Sequence, residues 1–149
     1  MTFIHVHNAG RLLMHAERRF IASHQEIGKE YKIMNVDDSY TRTYTDFTKY
    51  FEHHKKGYFI AYRDSTAAAI VNAATDSGLR VPEDIQVVSL IGTKYGYIVR
   101  PTITSMVLDW QEVGRRSMYM LIDLIKRELE EKTYKFDAKL VERQSTSHH

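Results

Sequence analysis

The stretch 58–93, YFIAYRDSTAAAIVNAATDSGLRVPEDIQVVSLIGT, constrains the fold more than any other part of the chain. Tyr58 to Tyr62 is a short apolar and aromatic run with the composition of a buried strand. Asp64, Ser65 and Thr66 follow at once, and each is a residue type that caps helix N-termini. Ala67, Ile70, Val71 and Ala74 then recur at spacings of three and four, one face of a helix. Gly78 supplies the stop, because glycine accepts the left-handed conformation that ends helices. Pro82 sets a turn, and Ile85 to Ile91 is a second apolar run. A strand, a helix and a strand this close together make a βαβ unit, which requires a parallel sheet.

The rest of the chain repeats that alternation. Thr2 to His7 reads as a first strand, with Asn8, Ala9 and Gly10 as a turn. Arg11 to Gly28 is a helix with a loose apolar stripe of Leu13, Ala16, Phe20 and Ile27. Tyr31 to Val36 is a second strand, ending in Asp37 and Asp38. Those acids are turn formers on one reading and cleft residues on another, since ligands of open α/β sheets bind outside the carboxyl ends of the strands. Tyr40 to Lys56 is helical, with Tyr44, Phe47, Tyr50 and Phe51 inward. A short edge strand is expected near Tyr97 to Arg100, and another strand over Ile103 to Leu108. Trp110 to Glu131 is a long amphipathic helix carrying Val113, Met118, Leu121, Ile122, Leu124, Ile125 and Leu129, with Glu130, Glu131 and Lys132 at its end. Lys139 to Gln144 is a last strand. The expected class is α/β, a doubly wound, mostly parallel sheet with helices on both faces.

Composition narrows the function classes. A chain of 149 residues buries a real core, and 43% hydrophobic with 27% charged residues are globular values. A net charge of +2 does not make a nucleic-acid surface. Without cysteine there is no disulfide framework and no thiolate chemistry. No apolar run approaches the roughly 20 residues of a membrane span, and no basic-then-apolar leader opens the chain. A cytoplasmic location is expected. Residues 147–149 end in two histidines and read as a tag remnant.

Three separated motifs resemble the effector-sensing domain of LacI/GalR-type transcription repressors, which has the periplasmic-binding-protein-like type I fold. The first runs through Asp64, Ala67, Gly78, Val81, Pro82, Asp84, Ile85, Val87 and Val88. The second is Arg100, Pro101, Thr102, Ile103, Thr104, Ser105 and Met106, against a family pattern R-P-x-L-T-T-V. The third is Leu140 to Thr146, LVERQST, against l-x-x-R-x-S-T. The resemblance implies one lobe of a two-lobed sensor over 1–100, a hinge at Arg100 and Pro101, a crossover strand and helix over 101–137, and a returning strand over 138–146. It also implies that the strand and long helix after the hinge pack on the other lobe, which this chain starts too late to contain. The long apolar helix is therefore expected either to fold back or to pair with another copy.

The resemblance implies a small-molecule effector, a homodimer, and DNA contact only through a domain outside this chain. Effector-binding candidates are Arg18, Tyr40, Arg63, Asp64 and Ile91. Glu17 and Arg18 match half of an E-R-x-x-G-F motif whose arginine bonds sugar, and Tyr40 is either a sugar platform or a core aromatic. Arg63 and Asp64 stand at the turn before the Ala-rich helix, and Ile91 stands where the family has a sugar-binding Asp. A site built for a hydroxyl loses a great deal without its partner group. Arg18 and Arg63 together then favour an anionic ligand, a sugar phosphate or sugar acid, over a free sugar. The alternative is that Asp64 neutralises Arg63 and caps the helix. The family dimerises partly through the Ala-rich helix, so Ala67, Ala68 and Val71 are interface candidates. A solute-binding module without a regulatory role is the alternative function.

Nothing in the sequence marks an enzyme. There is no Gly-rich phosphate loop, no nucleophile elbow and no triad order. His5, His7, His53 and His54 do not have the convergent spacing that zinc requires, and no cofactor is expected.

Overall fold

The inner strands β1 (Thr2–Val6), β3 (Gly57–Ala61) and β4 (Ile85–Ser89) carry the buried apolar residues of the sheet, with β4 alternating fully and partly buried positions. The computed structural model of the protein describes residues 1–7, 10–126 and 133–147. Between these strands lie α1 (Arg11–Glu26), β2 (Lys32–Val36), α2 (Tyr40–His53) and α3 (Asp64–Asp76). A short α4 (Tyr95–Ile98), β5 (Thr104–Val107), α5 (Trp110–Lys126) and β6 (Lys139–Val141) complete the chain. The six strands form one sheet in the order β2-β1-β3-β4-β5-β6. All neighbours are parallel except β5 and β6. The chain winds outward from β1 to β2, then crosses back to β3 and onward. Right-handed crossovers therefore put α1 on one face and α2 with α3 on the other. The switch in winding direction falls between β1 and β3.

The core is aromatic under α2 and small under α3. Phe47, Phe51 and Phe59 pack edge to face or tilted at 5.4–6.0 Å between ring centres. α3 is buried almost all round, and its alanines let the helix lie close to the sheet and to α2. Tyr40 and Tyr44, one turn apart on α2, bond Asn72 and Asp76, one turn apart on α3. That ladder fixes the register of the two helices.

Local chemistry sets the boundaries. Asp37 accepts from the Ser39 amide at 2.9 Å, and Ser39 caps α2, so Asp37 is a turn former. At the V-P-x-D motif, Asp84 takes both the Arg80 side chain and the Arg80 backbone N–H at 2.9–3.0 Å. The tail after β6 is tied in by Ser145, which is fully buried. Its backbone carbonyl accepts from Val87 N, its own amide donates to Thr102 O, and its hydroxyl bonds both Val87 O and Thr104 N.

Two expectations are corrected. Residues 97–100 are not an edge strand; Tyr95–Ile98 is a helical turn, because an aspartate described below gathers its backbone amides. The chain also does not leave the sheet at Arg100–Pro101. β5 follows within a few residues and pairs with β4 through Val88–Thr104 and Ser89–Ser105. Folding back is thus realised for β5 but not for α5, which buries none of its described residues. Met118 is 58% exposed and Ile125 75%. Leu129 to Lys132, expected at the end of this helix, and Asn8, Ala9 and the terminal histidines lie outside the described residues.

Candidate functional site

In a doubly wound sheet the loops at the carboxyl ends of the strands diverge at the switch point, and the crevice between them is the natural ligand site. Here that edge carries a hollow of about 290 Å3. Leu12 and Ala16 of α1 form one wall. Tyr62 follows β3, Leu90, Ile91 and Gly92 follow β4, and Leu108 and Trp110 follow β5. Ala138, just before β6, closes the ring. None of these side chains is charged. The polar groups on offer are the Tyr62 hydroxyl, the Trp110 indole N–H and backbone.

The floor depends on Gly92. Its amide donates to Met106 O at 2.8 Å. A Cβ there would sit 2.8 Å from the Val107 side chain and 2.9 Å from Met106 O, so only glycine lets the β4 loop approach β5 this closely. Ser89 then turns the chain by exchanging bonds with the Ile91 backbone, and Ile91 lines the hollow.

The other expected site residues fall elsewhere. Asp64 is 1% exposed and faces inward. It accepts from Thr93 N, from Gly96 N at 3.1 Å and from the Ser105 hydroxyl at 3.0 Å. Asp64 is thus the bolt between α3, α4 and β5, both of its carboxylate oxygens engaged inside the chain and shielded from a ligand by burial. It does not neutralise Arg63 either, which pairs with Asp38 at 2.9 Å and lies over the Tyr62 ring. Tyr40 is 43% exposed, yet its hydroxyl is taken by Asn72 at 2.7 Å. Arg18 is exposed on α1 and does not line the hollow; its neighbour Glu17 pairs with His5. Arg18 and Arg63 are therefore not brought together at this edge. Of the five expected effector residues, the hollow gathers Ile91 alone. Ala67, Ala68 and Val71 are 0%, 4% and 0% exposed, so they pack within the chain and present no face to a second copy.

Sequence reasoning missed Leu12, Leu108 and Trp110. The signal was present: each is a large apolar residue in the connection or first helical turn after a strand, at the sheet's carboxyl edge. Among the described residues no group of three or more His, Asp or Glu is placed to hold a metal, and no helix is long and apolar enough to cross a membrane.

A mostly parallel sheet with a crevice at the carboxyl ends of its strands and an antiparallel returning strand is the architecture of the periplasmic-binding-protein-like domains. The family of the periplasmic binding protein-like domain matches residues 6–146, and the chain belongs to it, in the form carried by LacI-type regulators. It is 31% identical over 135 residues to the HTH-type transcriptional regulator pepR1 of Lactobacillus delbrueckii subsp. lactis, covering 88% of this chain and 39% of that protein. A LacI family transcriptional regulator from Bifidobacterium animalis subsp. lactis superposes with a TM-score of 0.86 at 22% identity, over 98% of this chain and 54% of that one. A LacI family regulator from Arthrobacter sp. FB24, in complex with lactose, gives 0.84 at 23% identity, over 98% and 56%. The chain thus spans about half the length of those solved structures and less of the curated relative.

Proposed function

We propose that this chain is the effector-sensing part of a LacI-type transcriptional regulator, and that its carboxyl-edge hollow is its half of the effector site. The observation that carries this reading is the position of the hollow at the carboxyl edge of the sheet, where the segments after β3, β4 and β5 meet α1. The effector is a small carbohydrate-like molecule, the kind of ligand that the Arthrobacter neighbour holds as lactose. The lining asks it to present its apolar ring face, against Ile91, Leu108 and the Trp110 ring. The anionic variant has less behind it, because Arg63 is paired with Asp38 and Arg18 stands apart. The chain is not an enzyme on this reading. It works in the cytoplasm as a homodimer, and DNA is held by a domain outside residues 1–149. The ligand acts by binding one closure state more tightly than the other, and the hinge passes that difference on. The face of α5 is covered by the other half of the sensor or by a second copy.

The test uses the full-length regulator and an operator fragment. Lactose and a panel of neutral sugars are titrated while DNA affinity is followed. An active sugar changes the affinity, and Ile91→Glu abolishes the response without abolishing DNA binding. A regulator whose DNA affinity no small molecule alters, but which still binds one of them, is instead a solute-binding module of the same fold.

A further inference from the structure

We propose a second binding site, for a phosphoryl group, at the amino edge of the sheet, built by Arg100, Arg143 and Gln144. A hollow of about 680 Å3 opens there. Pro82 precedes β4, Pro101 precedes β5, and Gln144 and Thr146 follow the antiparallel β6. All four therefore lie at the opposite end of the strands from the effector hollow, and the two sites are separate. The lining contains two arginines and no carboxylate.

Both guanidinium groups converge on Tyr97. Arg100 Nη1 donates to the carbonyls of Tyr97 at 2.7 Å and Val99 at 2.9 Å. Arg143 lies over the Tyr97 ring at 4.2 Å and donates through Nη1 to Ile103 O. Two like charges are thus anchored around one residue, and among the described residues their partners are carbonyls and a ring. Arg143 Nη2 is buried with no hydrogen-bond partner among the described residues. Arg143 lines the hollow together with Arg100, so two guanidinium charges stand beside any occupant. Gln144 uses its Oε1 for Thr102 N and the Thr102 hydroxyl at 3.0–3.1 Å, which leaves its amide N–H groups as further donors.

Donors from three side chains and no negative charge call for an oxyanion. A phosphoryl group suits them better than a carboxylate, because it offers three oxygens where a carboxylate offers two, and guanidinium forks match phosphate geometry. The occupant is a free phosphate or the phosphate of a small metabolite.

The chain is titrated with inorganic phosphate, and separately with chloride and acetate at matched ionic strength, while its melting temperature is followed. A small phosphomonoester forms the last arm and separates free from esterified phosphate. Phosphate is expected to raise the melting temperature saturably, with chloride and acetate flat. Arg100→Gln, an exposed position that the fold tolerates, is expected to weaken the apparent affinity by about tenfold, the effect of losing one charge-assisted contact. Arg19→Gln, on the exposed side of α1, is expected to change nothing. Equal shifts in chloride, or no phosphate shift, overturn the site. Equal shifts in acetate overturn its phosphoryl preference. A phosphate titration unchanged in Arg100→Gln places the anion elsewhere and also overturns it.

Discussion

At the scale of single residues, two aspartates do different work. Asp64, itself buried, holds three donors, one each from the loop before α4, from α4 and from β5. Asp64→Ala leaves the Thr93 and Gly96 amides without their acceptor, while the Ser105 hydroxyl keeps Ile103 O, and is expected to cost on the order of 2 kcal/mol, read as a lower urea midpoint at unchanged slope. Asp84 works through charge. The Arg80 side chain, then the Arg80 backbone N–H, hold its carboxyl down from 3.8 to about 2. A folded value below the unfolded one contributes stability that is complete above about pH 4 and lost as the pH falls towards 2. Asp84→Asn is therefore expected to flatten the acid limb of the stability profile between those values, with neutral and alkaline behaviour unchanged in shape. Acid titration of the unfolding midpoint checks it. Both residues were legible as motif positions: Asp64 opens the Ala-rich helix and Asp84 sits in V-P-x-D. Their partners differ in distance along the chain. Arg80 is four residues from Asp84, within reach of a local reading, whereas Thr93, Gly96 and Ser105 are 29 to 41 residues from Asp64. The same distance hid the Arg63–Asp38 pair, and with it the reason why Arg63 does not serve the effector hollow.

At the scale of elements, α3 and α5 are opposites. The stripe of α3 is narrow, yet the helix is buried nearly all round, because alanines permit close contact with the sheet, α2 and α4. The same alanines suggest an intermolecular face when only the sequence is seen, since close approach within a chain and between chains has the same composition. The stripe of α5 is wide and legible, but nothing in a periodicity says what lies opposite it. In this chain nothing among the described residues buries it. A helix of 17 residues without packing is marginal in water. Amide hydrogen exchange is expected to open α5 at a low local free energy and α3 only at the global one. Ile125→Glu is expected to leave the melting temperature within about 0.5 kcal/mol of wild type in stability, because no packing is lost. A large destabilisation would mean that α5 packs on the sheet in solution.

At the scale of the molecule, one sheet has two useful ends. The class of fold, the parallel alternation and most element ranges, β5 included, followed from the spacing of apolar runs, with Tyr95–Ile98 departing because its Gly96 amide bonds Asp64, 32 residues away, instead of a strand neighbour. The position of a crevice at the carboxyl edge also follows from topology. Its lining does not, since Leu12, Ile91, Leu108 and Trp110 come from three separate segments, the start of α1, the loop after β4 and the β5–α5 junction. The central claim is that an effector seats against these residues. Trp110 is the only tryptophan of the chain and stands in the wall of this hollow, so its emission responds to a ligand seated there. Titrating the chain with neutral sugars while Trp110 fluorescence is followed is the most direct test. A saturable change in emission with one sugar, lost in Ile91→Glu, is the predicted result. A sugar that binds by calorimetry while Trp110 emission stays constant and Ile91→Glu binds as wild type would contradict the account.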